Sequence, residues 1–266
     1  MDTTVRDVLL MLSNRFHGDW NSIYQAIKEK TPFTPDEIKA AYAKTTTNFF
    51  TLTDQEYPEA FKNQCNPPFV LYYYGNIELL KEPYLLTSIG TRSPTLYQSD
   101  MVYKLIRETE KELDNKVVVI SGMAKGLDAI SMKAAMSTHA PVISIIGSGI
   151  DNPYPSENKD IYEYCKNDNG LVLSEYPGGA EAKPDNFIFR NRMLAALGNV
   201  IFIGGGRNKS GTSASVRLAL DCNKEILALP CNVTGDDLTN ELIQDGARSV
   251  LSAKDLIDVL SGEKPR

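Results

Sequence analysis

From residue 84 onward the chain alternates between short, continuous apolar runs and longer stretches whose apolar residues recur at helical spacing. The runs are LLTSI at 85–89, KVVVIS at 116–121, PVISIIG at 141–147, GLVLSE at 170–175, NVIFIG at 199–204 and KEILALP at 224–230. A strand with one wet face alternates apolar and polar residues. These runs do not, so both faces are covered, as in a parallel sheet lying between helices. Helices are predicted at 95–113, 127–137, 158–167, 192–197 and 213–222, and a closing helix–strand–helix lies in DLTNELIQDG, RSVLS and AKDLIDVLSG. The fold class is α/β, a doubly wound, mostly parallel sheet over residues 84–262. Right-handed crossovers place the loop after each strand on one rim, where open sheets of this kind hold their ligands.

The pattern before residue 84 is different. In 1–46, VRDVLLMLSNRF sets Val5, Val8, Leu9, Leu12 and Phe16 on one helical face, and DWNSIYQAIKEK adds Trp20, Ile23, Tyr24 and Ile27. TPDEIKAAYAK opens with Thr34 as N-cap, Pro35 at the first helical position and Glu37 three residues on. This is a small domain of three helices. It has no basic face, so we read it as a cap on the next domain rather than a DNA-contacting module. Residues 47–83 form a linker and leading strand: turn residues, the helix-stopping Pro67 and Pro68, then an apolar strand at 69–74. Tyr72, Tyr73 and Tyr74 read as a strand edge packed on the core. The polar tail 263–266 is expected to fray.

Composition narrows the possibilities. The 266 residues carry a net charge of −6 with a pI near 5.1, which argues against a uniformly basic nucleic-acid binder. Locally the balance reverses. Between residues 183 and 217 lie six basic side chains (Lys183, Arg190, Arg192, Arg207, Lys209, Arg217) and one acidic one, Asp185, an excess of +5. This predicts a basic groove on an acidic body. Cys65, Cys165, Cys222 and Cys231 are far apart in sequence, and neither His17 nor His139 has ligand spacing, so no metal site is expected. The N-terminus has no signal pattern and no apolar run approaches a membrane span, so a cytoplasmic location without membrane contact is the default.

Three glycine-rich turns carry the candidate chemistry. Gly90-Thr91-Arg92 follows the first strand; Gly lets the backbone approach a ligand, Thr91 brings a hydroxyl and Arg92 a planar fork suited to phosphate. Ser121-Gly122-Met123-Ala124-Lys125-Gly126-Leu127-Asp128 follows the second, with Asp128 read as structural. Gly204-Gly205-Gly206-Arg207-Asn208-Lys209-Ser210-Gly211-Thr212 precedes a later helix. Each turn opens a helix, whose first N–H groups lack intrahelical partners and favour anions. The first two turns are therefore expected to form a phosphate cup. None is a GxGxxG dinucleotide fingerprint or a P-loop, so no cofactor is expected. NFIFRNR at 186–192 completes the surface, with Asn186, Arg190, Asn191 and Arg192 beside Phe187, which can equally stack a base or pack in the core. Phe189 is assigned to the core.

Taken together, the chain resembles the DNA-processing protein A family (DprA, also called Smf). The resemblance rests on YPEAF, PPFVLYYYGN, the GTR turn, SGMAKGLD, GSGID with Tyr154-Pro155, Ser174-Glu175-Tyr176, the FPxRNR-like Phe187-Ile188-Phe189-Arg190-Asn191-Arg192, SGT at 210–212, ALPCNV and NELIQDGA. It implies a Rossmann-like domain behind a small helical (SAM-like) domain, and a protein that binds and protects single-stranded DNA, helps load a RecA-type recombinase during natural transformation, and forms a homodimer. It also implies that Arg92, Lys125, Phe187, Arg190 and Arg192 grip the strand, although Arg190 or Arg192 could close the pocket from inside instead. Ile188 stands where the family has Pro, and Cys231 where it has Gly. The chain ends without the winged-helix domain that many members carry, so no duplex-DNA role is expected.

The alternative is a nucleotide sensor, or an enzyme similar to the phosphoribohydrolases with their PGGxGTxxE motif. In GGGRNKSGTSASV the catalytic Glu position falls on Ser215. With no carboxylate or His expected in reach of the turns, we expect no catalysis.

Overall fold

The computed structural model describes residues 3–167, 169–233 and 237–262; the tail 263–266 and part of the PCNVTGDD loop lie outside them. Three helices open the chain: α1 (Val5–Arg15), α2 (Trp20–Lys28) and α3 (Pro35–Lys44). Thr34 caps α3 in a capping box with Glu37, as its sequence predicts, and Thr4 does the same for α1 with Asp7. Then follow β1 (Asn48–Thr51), α4 (Glu59–Lys62) and β2 (Val70–Gly75), and from β3 (Leu85–Ile89) the alternation begins. It continues through α5 (Leu96–Glu112), β4 (Val118–Ser121), α6 (Leu127–Met136), β5 (Val142–Ile145), α7 (Lys159–Cys165) and β6 (Gly170–Ser174). The second half holds α8 (Pro184–Leu197), β7 (Val200–Ile203), α9 (Gly211–Asp221), β8 (Glu225–Ala228), α10 (Leu238–Gln244), β9 (Arg248–Ser249) and α11 (Ala253–Leu260).

The nine strands form one sheet in the order β1-β2-β6-β5-β4-β3-β7-β8-β9. From β6 to β9 every pairing is parallel, whereas β1–β2 and β2–β6 are antiparallel. Starting from β3, the chain first winds outward through β4, β5 and β6, then returns to the other side of β3 with β7, β8 and β9. The order thus reverses between β3 and β7, and this switch point is where a doubly wound sheet opens a crevice at its carboxyl ends.

Alternate strand residues feed two cores. One face carries Leu86, Val119, Val142, Val172 and Phe202 toward α5, α6, α7 and the N-terminal helices. The other carries Leu85, Ile120, Ile145, Leu173 and Ile203 toward α8 and α9. Leu9, Leu12 and Ile23 share the first core with Val70 and Tyr72, so the N-terminal helices are packed onto the β1–β2 end of the sheet. Tyr72 is fully buried and donates to Ser13 Oγ at 3.0 Å.

Two elements depart from the sequence reading. NFFT was taken as part of a linker but forms β1, pairing with β2 through Phe49↔Tyr72 and Phe50↔Leu71. The helix expected at 192–197 starts eight residues earlier, at Pro184, so NFIFRNR lies on a helix and not in a loop.

Candidate nucleic-acid interface

The crevice at the switch point is a cleft of about 570 Å³, and its walls come from all three glycine turns together with α8. Gly90, Thr91 and Arg92 line one side and Ala124 and Asp128 the floor. Phe187, Arg190, Asn191 and Leu194 come from α8, while Arg207, Ser210, Gly211, Thr212 and Ser215 come from the turn after β7 and the start of α9. Tyr154, from the loop after β5, closes the mouth against Phe187, with ring centroids 5.5 Å apart.

Helix geometry explains how α8 serves this cleft. Phe187, Asn191 and Leu194 are three to four residues apart and share one face. Arg190 points down between the strands' ends, 3% exposed, and donates from Nη1 to the carbonyls of Gly122 and Ile145. Ile188 stands on the crest, 60% exposed. Phe189 and Arg192 lie on the far side.

The first two turns do not form the cup of open N–H groups expected of them, because most of those groups bond inward. Gly90 N–H donates to Asp128 Oδ1 at 3.3 Å, and the backbone N–H groups of Gly122 and Ala124 face the same carboxylate and favour its charged form. Thr91 N–H reaches the Gly205 carbonyl at 2.9 Å, and Leu127 N–H the Thr91 carbonyl at 3.1 Å. Gly126 makes that last contact possible: its φ of 80° is left-handed, and a Cβ there would come within 2.3 Å of the Thr91 carbonyl oxygen. Asp128 is thus a structural residue, accepting from the first turn and lying beside the second and the buried Arg190 guanidinium. Burial raises its pKa, against the pull of Arg190 and the three N–H groups. Burial likewise lowers the Arg190 guanidinium to about 10, with Asp128 opposing. The open helix start is instead α9. Ser210 caps it, exchanging bonds with Ser213, while Gly211 and Thr212 at its first positions line the cleft. Their N–H groups precede any intrahelical acceptor, so the anion-favouring end of a helix faces the cleft.

The basic window separates in space. Arg207 lines the cleft, and Lys183, Lys209 and Arg217 are exposed, but Arg190 and Arg192 are buried. Arg192 does not reach the cleft. Its Nη1 and Nη2 make a two-pronged pair with Glu175 at 2.8 and 2.6 Å, and its Nε donates to the Asn66 carbonyl at 2.9 Å. The excess of +5 therefore does not become a groove of five charges. Lys125 is exposed at the lip, where Glu157 holds its ammonium at 2.7 Å and keeps it protonated. Ser121 is buried with its hydroxyl on the Ser88 carbonyl, and Asn186 is half-buried where α8 passes over Gly147. Arg207, expected from the basic window and the third turn, lines the cleft, and so does Tyr154, which the sequence reading names only within the family resemblance. Tyr154 could have been found from its place in the loop after the apolar run 141–147, on the predicted ligand rim.

Among the described residues, no group of three or more His, Cys, Asp and Glu side chains is placed to hold a metal ion, and no helix is long and apolar enough to cross a membrane. Ser215, where a phosphoribohydrolase would carry its glutamate, spends its hydroxyl on the Gly211 carbonyl of its own helix.

The model of a family described as DNA recombination-mediator protein A matches residues 48–261. The chain belongs to that family. DNA processing protein DprA of Streptococcus pneumoniae is 32% identical over 210 residues, spanning 78% of this chain and 72% of that protein. The X-ray structure of S. pneumoniae DprA superposes with a TM-score of 0.76 over 99% of this chain and 94% of its own, at 28% identity. A structure of Helicobacter pylori DNA processing protein A, described for its single-stranded DNA binding mode, matches with a TM-score of 0.72 and 32% identity over 83% of this chain and all of its own. These relatives share the Rossmann-like sheet, and membership makes this chain a DNA-processing protein.

Proposed function

We propose that the cleft holds single-stranded DNA and that the protein protects the strand and helps load a RecA-type recombinase, acting as a homodimer in the cytoplasm. The observation that carries this reading is the meeting, around one crevice, of an exposed arginine, a helix start and an aromatic ring. Arg92 and the start of α9 take phosphates, Arg207 adds charge, and Phe187, with Tyr154 beside it, offers a ring to an unpaired base. The binding mode described for the H. pylori relative supports the choice of ligand. In this reading residues 1–46 act as a helical domain beside the DNA-binding sheet, in keeping with the core that Leu9, Leu12 and Ile23 share with β2. The cleft binds rather than reacts, and its carboxylate, Asp128, serves the framework, buried and accepting from the Gly90 N–H.

Binding of oligo-dT tests the reading. The protein binds at low salt and loses affinity steeply as salt rises, because phosphate contacts release counterions. Arg92→Ala flattens that salt dependence by about one phosphate contact while leaving thermal stability within about 0.5 kcal/mol. Wild-type salt dependence in Arg92→Ala would remove Arg92 from the site.

The cleft volume also suits a small nucleotide. Competition by nucleoside monophosphates for oligo-dT, without release of free base, would favour a sensor; release of base would favour an enzyme.

A further inference from the structure

An aromatic column joins the far side of α8 to the N-terminal helices. The Arg192 guanidinium lies 3.8 Å from the centre of the Phe189 ring, and Phe189 leans on Trp20 of α2 at 6.4 Å. Trp20 stacks on Phe69 at 5.2 Å and on Tyr24 at 5.1 Å, the latter nearly parallel at 10°. The indole N–H is fastened to the Pro67 carbonyl at 2.8 Å, and Arg192 is fixed by Glu175. The column is therefore rigid and sets α2 at a fixed place beside α8. Its outer end is Tyr24, which is 50% exposed although it is a large ring held flat against its neighbour. Exposed Ile188 lines the cleft and stands on α8 between Phe187, on the cleft side, and Phe189, which meets the column. Lys28 lies one turn beyond Tyr24 on the same face of α2 and is exposed. Nearby acids are occupied: Asp19 caps α2 through Ser22 N–H, and Glu29 accepts from Gln25.

An exposed ring with a fixed plane, a lysine at one turn's distance and an apolar crest leading back to the cleft make a stacking platform continuous with the proposed interface. We propose that single-stranded DNA leaving the cleft passes over Ile188 and stacks a base on Tyr24, with Lys28 on the adjoining phosphate. The inference rests on the reading of the cleft as a DNA site, and it makes the N-terminal helices part of the strand's track. Sequence-tolerant stacking of this kind suits a protein that must accept any strand.

Trp20 is the single tryptophan of the chain, so its fluorescence reports on this column alone. Wild-type protein is titrated with oligo-dT on the order of 4 and on the order of 16 nucleotides, the range of site sizes seen in single-strand-binding folds. The long oligomer changes Trp20 emission and binds more tightly; the short one fills the cleft and leaves the emission unchanged. Tyr24→Glu lowers affinity for the long oligomer by about 5- to 100-fold. It leaves the short one at wild-type affinity, which also shows that the variant is folded. Tyr24→Phe keeps the ring and behaves as wild type, and Tyr42→Glu, at another exposed ring on α3, changes neither affinity. Wild-type affinity of Tyr24→Glu for the long oligomer, or unchanged Trp20 emission with the long oligomer, overturns the track. Failure of the wild type to bind either length at low salt overturns the cleft reading itself.

Discussion

The two sides of α8 are built from the same short stretch of sequence and have opposite uses. On the cleft side Phe187 and Asn191 border open space, beside the exposed Arg92 and Arg207. On the far side Phe189 and Arg192 stack on each other, and Arg192 is closed off by Glu175 and Asn66. Each side thus pairs one aromatic with arginine chemistry, yet only one leaves that chemistry available to a ligand. The difference lies in what the rest of the fold brings up to each side. Glu175, at the end of β6, turns Arg192 into framework, while buried Arg190 faces Asp128, at the start of α6, and is held by the carbonyls of Gly122 and Ile145. Among the described residues no acid makes an ion pair with Arg92 or Arg207. An arginine's role here is decided by whether an acid from another element arrives to meet it.

Arg192→Ala breaks the comparison most directly. It leaves Glu175 as a buried charge without its partner, at a cost of about 3–5 kcal/mol, read as a large fall in the urea or thermal midpoint. A stability near wild type would mean that Arg192 is not framework. Next comes the pair of rings. Phe187→Ala is expected to lose roughly 1–3 kcal/mol of oligo-dT affinity with a smaller change in stability. Phe189→Ala is expected to lose on the order of 1 kcal/mol of stability from its ring contacts and to bind a short oligomer normally. Equal affinity losses from both would erase the distinction between the two sides. The smallest effect sharpens the picture at the lip. Glu157→Gln frees Lys125 and gives a modest gain in affinity at low salt that disappears at high salt, since an exposed pair competes weakly with phosphate. No gain at low salt would place Lys125 off the strand's path.

How far the sequence alone reveals this arrangement follows from the same physics. The parallel strands are legible because burial on both faces forces unbroken runs such as VVVI and VIFI. NFFT of β1 is not, because it is four residues long, sits among threonines and joins the sheet only by pairing with distant β2. The start of α8 is obscured because its first turns are exposed or half-buried and its buried positions include Arg190 and Arg192, so no apolar stripe stands out. Pro184 at the first position and Asp185 in the first turn were the available signals. The three glycine turns of the rim come together around one cleft, as the alternation of strands and helices implies. The split of the basic window is not, since Glu175 and Asp128 lie 17 and 62 residues from their arginines and nothing local announces the meeting.

Asp128 has one more consequence. A single carboxylate gathers N–H groups from the turn after β3 and from the turn after β4 and faces the guanidinium of α8. Three separate stretches of chain are clasped before any ligand arrives. For the strand proposed to enter the cleft, these two turns need no ordering, so on that side capture is limited by encounter and the lifetime of the complex by how fast bases unstack and phosphates let go.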